Sequence, residues 1–159
     1  MSGLTRKGAP GNFFFYFCGM ARIMAIDYGA KKTGVAVTDA LHITITGLDT
    51  VATKDLISFL ETYFQEEEVS TIVLGMPHHP DGQPAQLAPA ILALGEKLKE
   101  KFSDKAIAFQ DETYTSVEAR QFILQSGARK KKRRDKSLVD KVSATLILRD
   151  YMEARHWSA

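Results

Sequence analysis

A chain of 159 residues, 45% hydrophobic and 25% charged, has the length and composition of one folded domain with a sizeable core. Its single cysteine, Cys18, excludes an internal disulfide framework and points to a reducing, cytoplasmic setting. No apolar run approaches the ~18 residues of a membrane span, so no membrane partner is expected. The net charge of +2 hides one dense basic segment, with seven bases and one acid between Arg129 and Lys136. Such a distribution marks a local anion contact and not a generally basic surface.

Residues 1–19 stand apart from the rest of the chain. Arg6, Lys7 and then Phe13-Phe14-Phe15-Tyr16-Phe17 faintly resemble a signal peptide. The apolar stretch is shorter than the roughly 7–15 residues of a signal core, and no small-residue cleavage site follows it. Met20 can itself start the domain, so 1–19 is read as an N-terminal extension and 20–159 as a single domain.

Ile23-Met24-Ala25-Ile26 predicts a buried strand, ended by Asp27-Tyr28-Gly29. Lys31, Lys32, Thr33 and Gly34 lead into a second strand, Val35-Ala36-Val37. This layout holds a carboxylate on rigid backbone at a sheet edge, beside bare backbone N–H groups and two lysines. It suits binding a metal ion and a phosphate together. The plain alternative is a hairpin whose aspartate merely opens the turn.

Ile43-Thr44-Ile45-Thr46 alternates as a third strand. Leu56, Ile57, Leu60, Tyr63 and Phe64 share one face of a helix from about Lys54 to Glu67. Thr71-Ile72-Val73-Leu74-Gly75 is apolar enough for a central strand, and Met76 to Gly82 is a loop ending in a Pro-Asp-Gly turn. Leu87, Ile91, Leu94, Leu98 and Phe102 give a second helix. Ala106-Ile107-Ala108-Phe109 is a fifth strand that runs into Gln110-Asp111-Glu112-Thr113. A capping box at Thr115–Glu118 opens a third helix that Gly127 ends, and Ser137 to Met152 forms the last one. The order β-β-β-α-β-α-β-α, closed by that last helix, implies a mixed α/β sheet covered by helices.

Three acids stand where such a sheet places chemistry. Asp27 ends the first strand, and Asp111 and Glu112 end the fifth. Strand periodicity admits only one of that pair on a given face and does not choose between them. Asp140 shares its helical face with Ala144, Ile147 and Tyr151, so a carboxylate sits among residues that should pack on the sheet. A buried ionised acid is costly unless paired or metal-bound, although Ser137-x-x-Asp140 also fits a capping box. His78 and His79, in a Pro-flanked loop, lack the other ligands of a zinc site. Arg129-Lys130-Lys131-Lys132-Arg133-Arg134 leads directly into the helix of Asp140, where it would hold a polyanion against the acids.

Residues 20–155 resemble the YqgF family, also called RuvX, of bacterial RNase H-like nucleases. The resemblance rests on Ala25-Ile26-Asp27-Tyr28-Gly29 with Lys32 and Gly34, Gly75-Met76-Pro77 with Asp81-Gly82, and Asp111-Glu112 with Thr115. Gly127 with its basic run and Asp140-Lys141 with Ala144, Ile147 and Leu148 complete it. It implies an RNase H-like five-stranded sheet of order 3-2-1-4-5, strands 1–3 antiparallel, with helices on both faces. It also implies a metal-dependent nuclease acting in 5′-end maturation of pre-16S rRNA, or, in older descriptions, a Holliday-junction resolvase. The family acids carry over onto Asp27, Glu112 and Asp140. Thr113 departs from the usual Arg, His79 from a usual Asn or other polar residue, and Ala25 from a usual Gly.

The expected function is therefore hydrolysis of phosphodiesters in structured nucleic acid. Asp27, Glu112 and Asp140 would hold one or two Mg²⁺ or Mn²⁺ ions, since hard oxygen donors suit those metals. Lys31, Lys32 and Arg129 to Arg134 would contact the nucleic acid, in a monomer or weak homodimer. Two other classes compete. A kinase-like phosphate loop at Asp27-x-Gly29 would need a second domain, and a non-catalytic RNA-binding assembly factor would not need the acids.

Overall fold

Side chains alternate along strand β1 (Arg22–Asp27), sending Met24 and Ile26 into one layer and Ile23 and Ala25 into the other. The computed structural model describes residues 21–77, 86–112, 121, 123–125 and 136–156. β1 pairs antiparallel with β2 (Lys32–Thr38), which pairs antiparallel with β3 (Ile45–Ala52). On its other side β1 runs parallel to β4 (Val69–Met76), and β4 runs parallel to β5 (Ala106–Asp111). The order is β3-β2-β1-β4-β5, as the resemblance implies.

One face is covered by helices α1 (Leu56–Glu66) and α2 (Ala88–Lys101). Leu56, Leu60, Ile91 and Leu98 pack there on Met24, Ile26, Val35, Ile72 and Leu74, all essentially inaccessible to water. Each such side chain contributes roughly 1.5–3 kcal/mol of burial. The opposite face is covered by the long helix α3 (Lys136–His156). Its Ala144, Ile147, Leu148 and Tyr151 rest on Ile23, Ala25, Ala36 and Val73. Small residues at 25, 36 and 144 let the helix lie close to the sheet. Val139 and Leu146 of α3 meet Ile123 in a separate cluster, so the helix is apolar on more than one side. No helix among the described residues is long and apolar enough to cross a membrane.

Three boundaries differ from the sequence reading. The third strand starts at Ile45 and runs to Ala52, leaving Ile43 75% exposed. The Asp39 carboxylate accepts the N–H groups of Ile43 (2.7 Å) and Thr44 (3.2 Å), and His42 adopts a φ of 57°. These contacts close the connection as a turn and delay the strand. Next, Thr53–Asp55 forms a 3₁₀ turn before α1 begins at Leu56. Finally, β4 and β5 extend beyond their apolar runs, to Met76 and Asp111, because ladder pairing continues from Ile72–Ile107 to Met76–Asp111. Of the helix expected over 115–127, the described residues 121 and 123–125 are helical. Residues 1–19, the capping box, Gly127 and the His78-His79 loop lie outside the described residues.

Candidate active site at the sheet edge

The choice between Asp111 and Glu112 is made by what covers each face of β5. Ile107 packs in the layer of α1 and α2, and the ring of Phe109 lies against Gly95 of α2. Asp111 follows them by alternation and is exposed. Ala108 packs instead under α3, and Gln110 and Glu112 follow it. On β1 the same rule puts Asp27 in line with Ile23 and Ala25, also under α3. Asp27 and Glu112 therefore meet on one face, and Asp111 is on the other.

Gly75 of β4 makes room for that meeting. It follows Leu74, whose partner on β1 is Ile26, and pairs with Gln110 on β5. A Cβ at position 75 would come within 2.8 Å of Glu112 Cδ and 2.9 Å of its Oε2, and would also strike Ile147. The Glu112 N–H donates to the Met76 carbonyl at 3.1 Å, extending the ladder by one residue and fixing where its side chain leaves the strand.

Burial pushes the Glu112 carboxyl up to about 9, and the charge of Asp27 and a hydrogen bond between the two side chains act in the same direction. Burial and the neighbouring charge thus favour a proton on the pair at neutral pH, belonging to the two carboxyls together. Two carboxyls held together in this way are a fit for a divalent cation, whose charge would replace that proton. All-oxygen donors suit Mg²⁺ or Mn²⁺. Among the described residues no group of three or more His, Cys, Asp or Glu side chains comes together.

The turn after Asp27 is held by a residue that sequence reading passed over. The Thr53 hydroxyl donates to the Gly29 carbonyl at 2.6 Å, and the Thr53 N–H donates to the Lys31 carbonyl at 2.9 Å. Because the single hydrogen of Thr53 is committed to Gly29, the buried Thr33 hydroxyl donates to Thr53 Oγ1 at 2.9 Å. A Cβ on Gly29 would run into the Lys32 carbonyl, so this turn requires glycine. A threonine between a strand and a helix carries no distinguishing signal until β3 is seen to end beside this turn.

Asp140 lies on α3, four residues before the fully buried Ala144 and so one turn nearer the helix N-terminus. Its side chain is outside the described part of the structure. Lys31 and Lys32 are exposed at the hairpin beside Asp27. Arg129 to Arg134 lie outside the described residues.

A mixed 3-2-1-4-5 sheet between helices, with two acids meeting at the ends of its first and fifth strands, has the RNase H-like architecture. The model of the family RuvX, described as Holliday junction resolvase, matches residues 21–154. The chain belongs to the RuvX family. A relative from Flavobacterium psychrophilum, named "Putative pre-16S rRNA nuclease", is 44% identical over 84% of this chain and 97% of its own length. One of the same name from Christiangramia forsetii is 46% identical over 84% of this chain and 98% of its own. Among solved structures, T. thermophilus RuvC in complex with a Holliday junction substrate has a similar fold. Its TM-score is 0.51 at 16% identity, covering 84% of this chain and 96% of that one.

Proposed function

We propose that this chain is a metal-dependent nuclease that hydrolyses phosphodiester bonds in structured RNA, in 5′-end processing of pre-16S rRNA. The observation that carries this reading is the Asp27–Glu112 pair, two carboxyls held together over Gly75 with a proton between them. Asp140, from the helix that covers the same face, is the third acid of the site. A bound Mg²⁺ or Mn²⁺ supplies water activation and stabilises charge on the leaving oxygen. The residues of the chain do the rest. Asp27 and Glu112 present anionic oxygens from two rigid strand ends, and the Thr53 clasp keeps the Asp27 turn from drifting. Lys31 and Lys32, with Arg129 to Arg134, offset the repulsion between the acids and a polyanionic substrate. The names of the curated relatives support the rRNA substrate.

A second reading, resolution of branched DNA, is favoured by the description of the matching family. One experiment tests both. A precursor rRNA 5′ end and a four-way DNA junction are incubated with the full chain in Mg²⁺ or Mn²⁺, with Asp27→Asn as control. Cleavage of the RNA alone, lost in the variant, is the expected outcome. Cleavage of the junction alone would replace the first reading with the second, and cleavage of neither would overturn both.

A further inference from the structure

We propose that the groove between the β1–β2 turn and helices α1 and α2 is a nucleotide subsite. It would hold the base and phosphate of the unit next to the one cut at Asp27 and Glu112. The inference rests on the nuclease reading for its place in the reaction, and on the groove itself for its ligand.

The groove has a volume of about 310 Å³, and its lining includes Tyr28, Thr53, Lys54, Ile57, Leu94 and Lys97. That is at the lower end of the roughly 300–1,000 Å³ of small-molecule sites, a size that suits one nucleotide unit. Its position is set by Tyr28, the residue after Asp27. Consecutive Cα atoms lie about 3.8 Å apart, and strand alternation sends the two side chains to opposite faces. Tyr28 accordingly packs against the layer of α1 and α2. The groove and the acid pair thus open on the two sides of one sheet edge. A strand crossing that edge over the Gly29–Lys31 turn would reach both.

The lining has two chemistries. Tyr28, Ile57 and Leu94 form an apolar wall with one aromatic ring, and Lys54 and Lys97 supply positive charge. Elsewhere the described cations are commonly paired: Arg22 with Glu67, Lys99 with Glu96, Lys101 with Glu61, Lys105 with Asp104. Lys54 and Lys97 have no acidic partner among the described residues, and no described acid lines the groove. A simple inorganic anion would leave the apolar wall uncovered, and an apolar ligand would leave both ammonium groups unanswered. A nucleotide answers both, with its phosphate on the lysines and its base on the ring and leucine. Thr53 belongs to the groove and to the clasp on Gly29, so the floor of the subsite is tied to the turn that carries Asp27.

The test is an NMR titration of the full chain in EDTA with a tetra-adenylate RNA, and in a second arm with its DNA counterpart. Saturable shifts at the amides of Tyr28, Lys54 and Leu94 are expected. Equal shifts in both arms, or shifts with RNA alone, support the subsite and tell whether it senses the 2′-hydroxyl. Lys54→Ser/Lys97→Ser should lower the slope of log K against log salt by about 1.4, since each contact on a single strand contributes about 0.7. Tyr28→Leu, which keeps the apolar packing, should weaken binding at least about fivefold, the lower end of base stacking. Shifts confined to Lys31 and Lys32, or both variants binding like the parent, would overturn the subsite. Cleavage in Mg²⁺ or Mn²⁺ is scored separately. Groove binding without cleavage would sink the nuclease reading and leave a nucleotide site, whereas cleavage without groove binding would sink the subsite alone.

Discussion

The carboxyl of Glu112 is hydrogen-bonded to that of Asp27, across the width of the β4 strand that separates their own strands. In the absence of a cation, burial and the mutual charge of the two carboxyls favour a shared proton. The Glu112 carboxyl lies above its ordinary 4.5, at about 9, because of burial first and the Asp27 charge second. The folded chain therefore holds a proton that the unfolded chain releases. The stability tied to that proton is full below about 4.5 and is lost as the pH rises toward about 9. In EDTA the melting temperature should fall over this window, and Glu112→Gln, which does not ionise, should flatten the fall. Added Mg²⁺ or Mn²⁺ should restore stability most at the alkaline end, with proton release on binding. A melting temperature independent of pH in EDTA would contradict the shared proton.

Gly75→Ala should be costly out of proportion to one methyl group. The added carbon meets both Glu112 and Ile147, and overpacking of this kind costs about 1–3 kcal/mol. Because Glu112 is one of the two obstacles, Gly75→Ala/Glu112→Ala should be more stable than the sum of the single changes indicates. Chemical denaturation of the four proteins measures the coupling, and additivity would mean that Glu112 does not sit over Gly75.

Asp140→Asn separates a ligand from a helix cap. If Asp140 completes the acid site, cleavage should be abolished while the melting temperature stays within a few degrees of the parent. Loss of about 1 kcal/mol of stability, with activity kept per folded molecule, is instead the signature of a cap.

Replacing all six basic residues from Arg129 to Arg134 with Gln or Ser should weaken nucleic-acid binding irrespective of sequence. The salt slope on duplex should fall by up to about 5, at about 0.9 per phosphate contact. Metal-dependent stabilisation should survive, since the segment supplies charge and no ligand. An unchanged slope would move the phosphate contacts to Lys31, Lys32 and the groove lysines.

A chain started at Met20 should keep the melting temperature and cleavage rate of the full chain. The family match begins at residue 21, and residues 1–19 contribute no candidate ligand. A loss of several degrees, or a change in oligomeric state by light scattering, would show that the Phe13–Phe17 cluster is part of the folded unit.

Much of the architecture is written locally. The β-branched runs of β1 and β4, the spacing of Leu56 and Leu60 or of Ile91 and Leu98, and the glycine after Asp27 report on short-range backbone and burial preferences that any stretch of chain carries with it. They sufficed for the order of elements and for Asp27 at a strand end. The start of β3 was not legible. The alternation at Ile43–Thr46 is genuine strand patterning, but hydrogen bonds from the Asp39 carboxylate take the amides of Ile43 and Thr44 into a turn. Asp111 and Glu112 were equivalent for a deeper reason. Alternation in β5 states that they face opposite ways, but not which way is which, because both faces are apolar. Only the docking of α3 over Ala25, Ala36 and Val73, and of α2 over Phe109, makes the faces different. Thr53 likewise acquires its role from the meeting of β3 with the β1–β2 turn, residues more than twenty positions apart in the chain. Local preferences determined which elements form. Which acids share a face depended on packing between elements distant in sequence, and that information exists only once the layers are assembled.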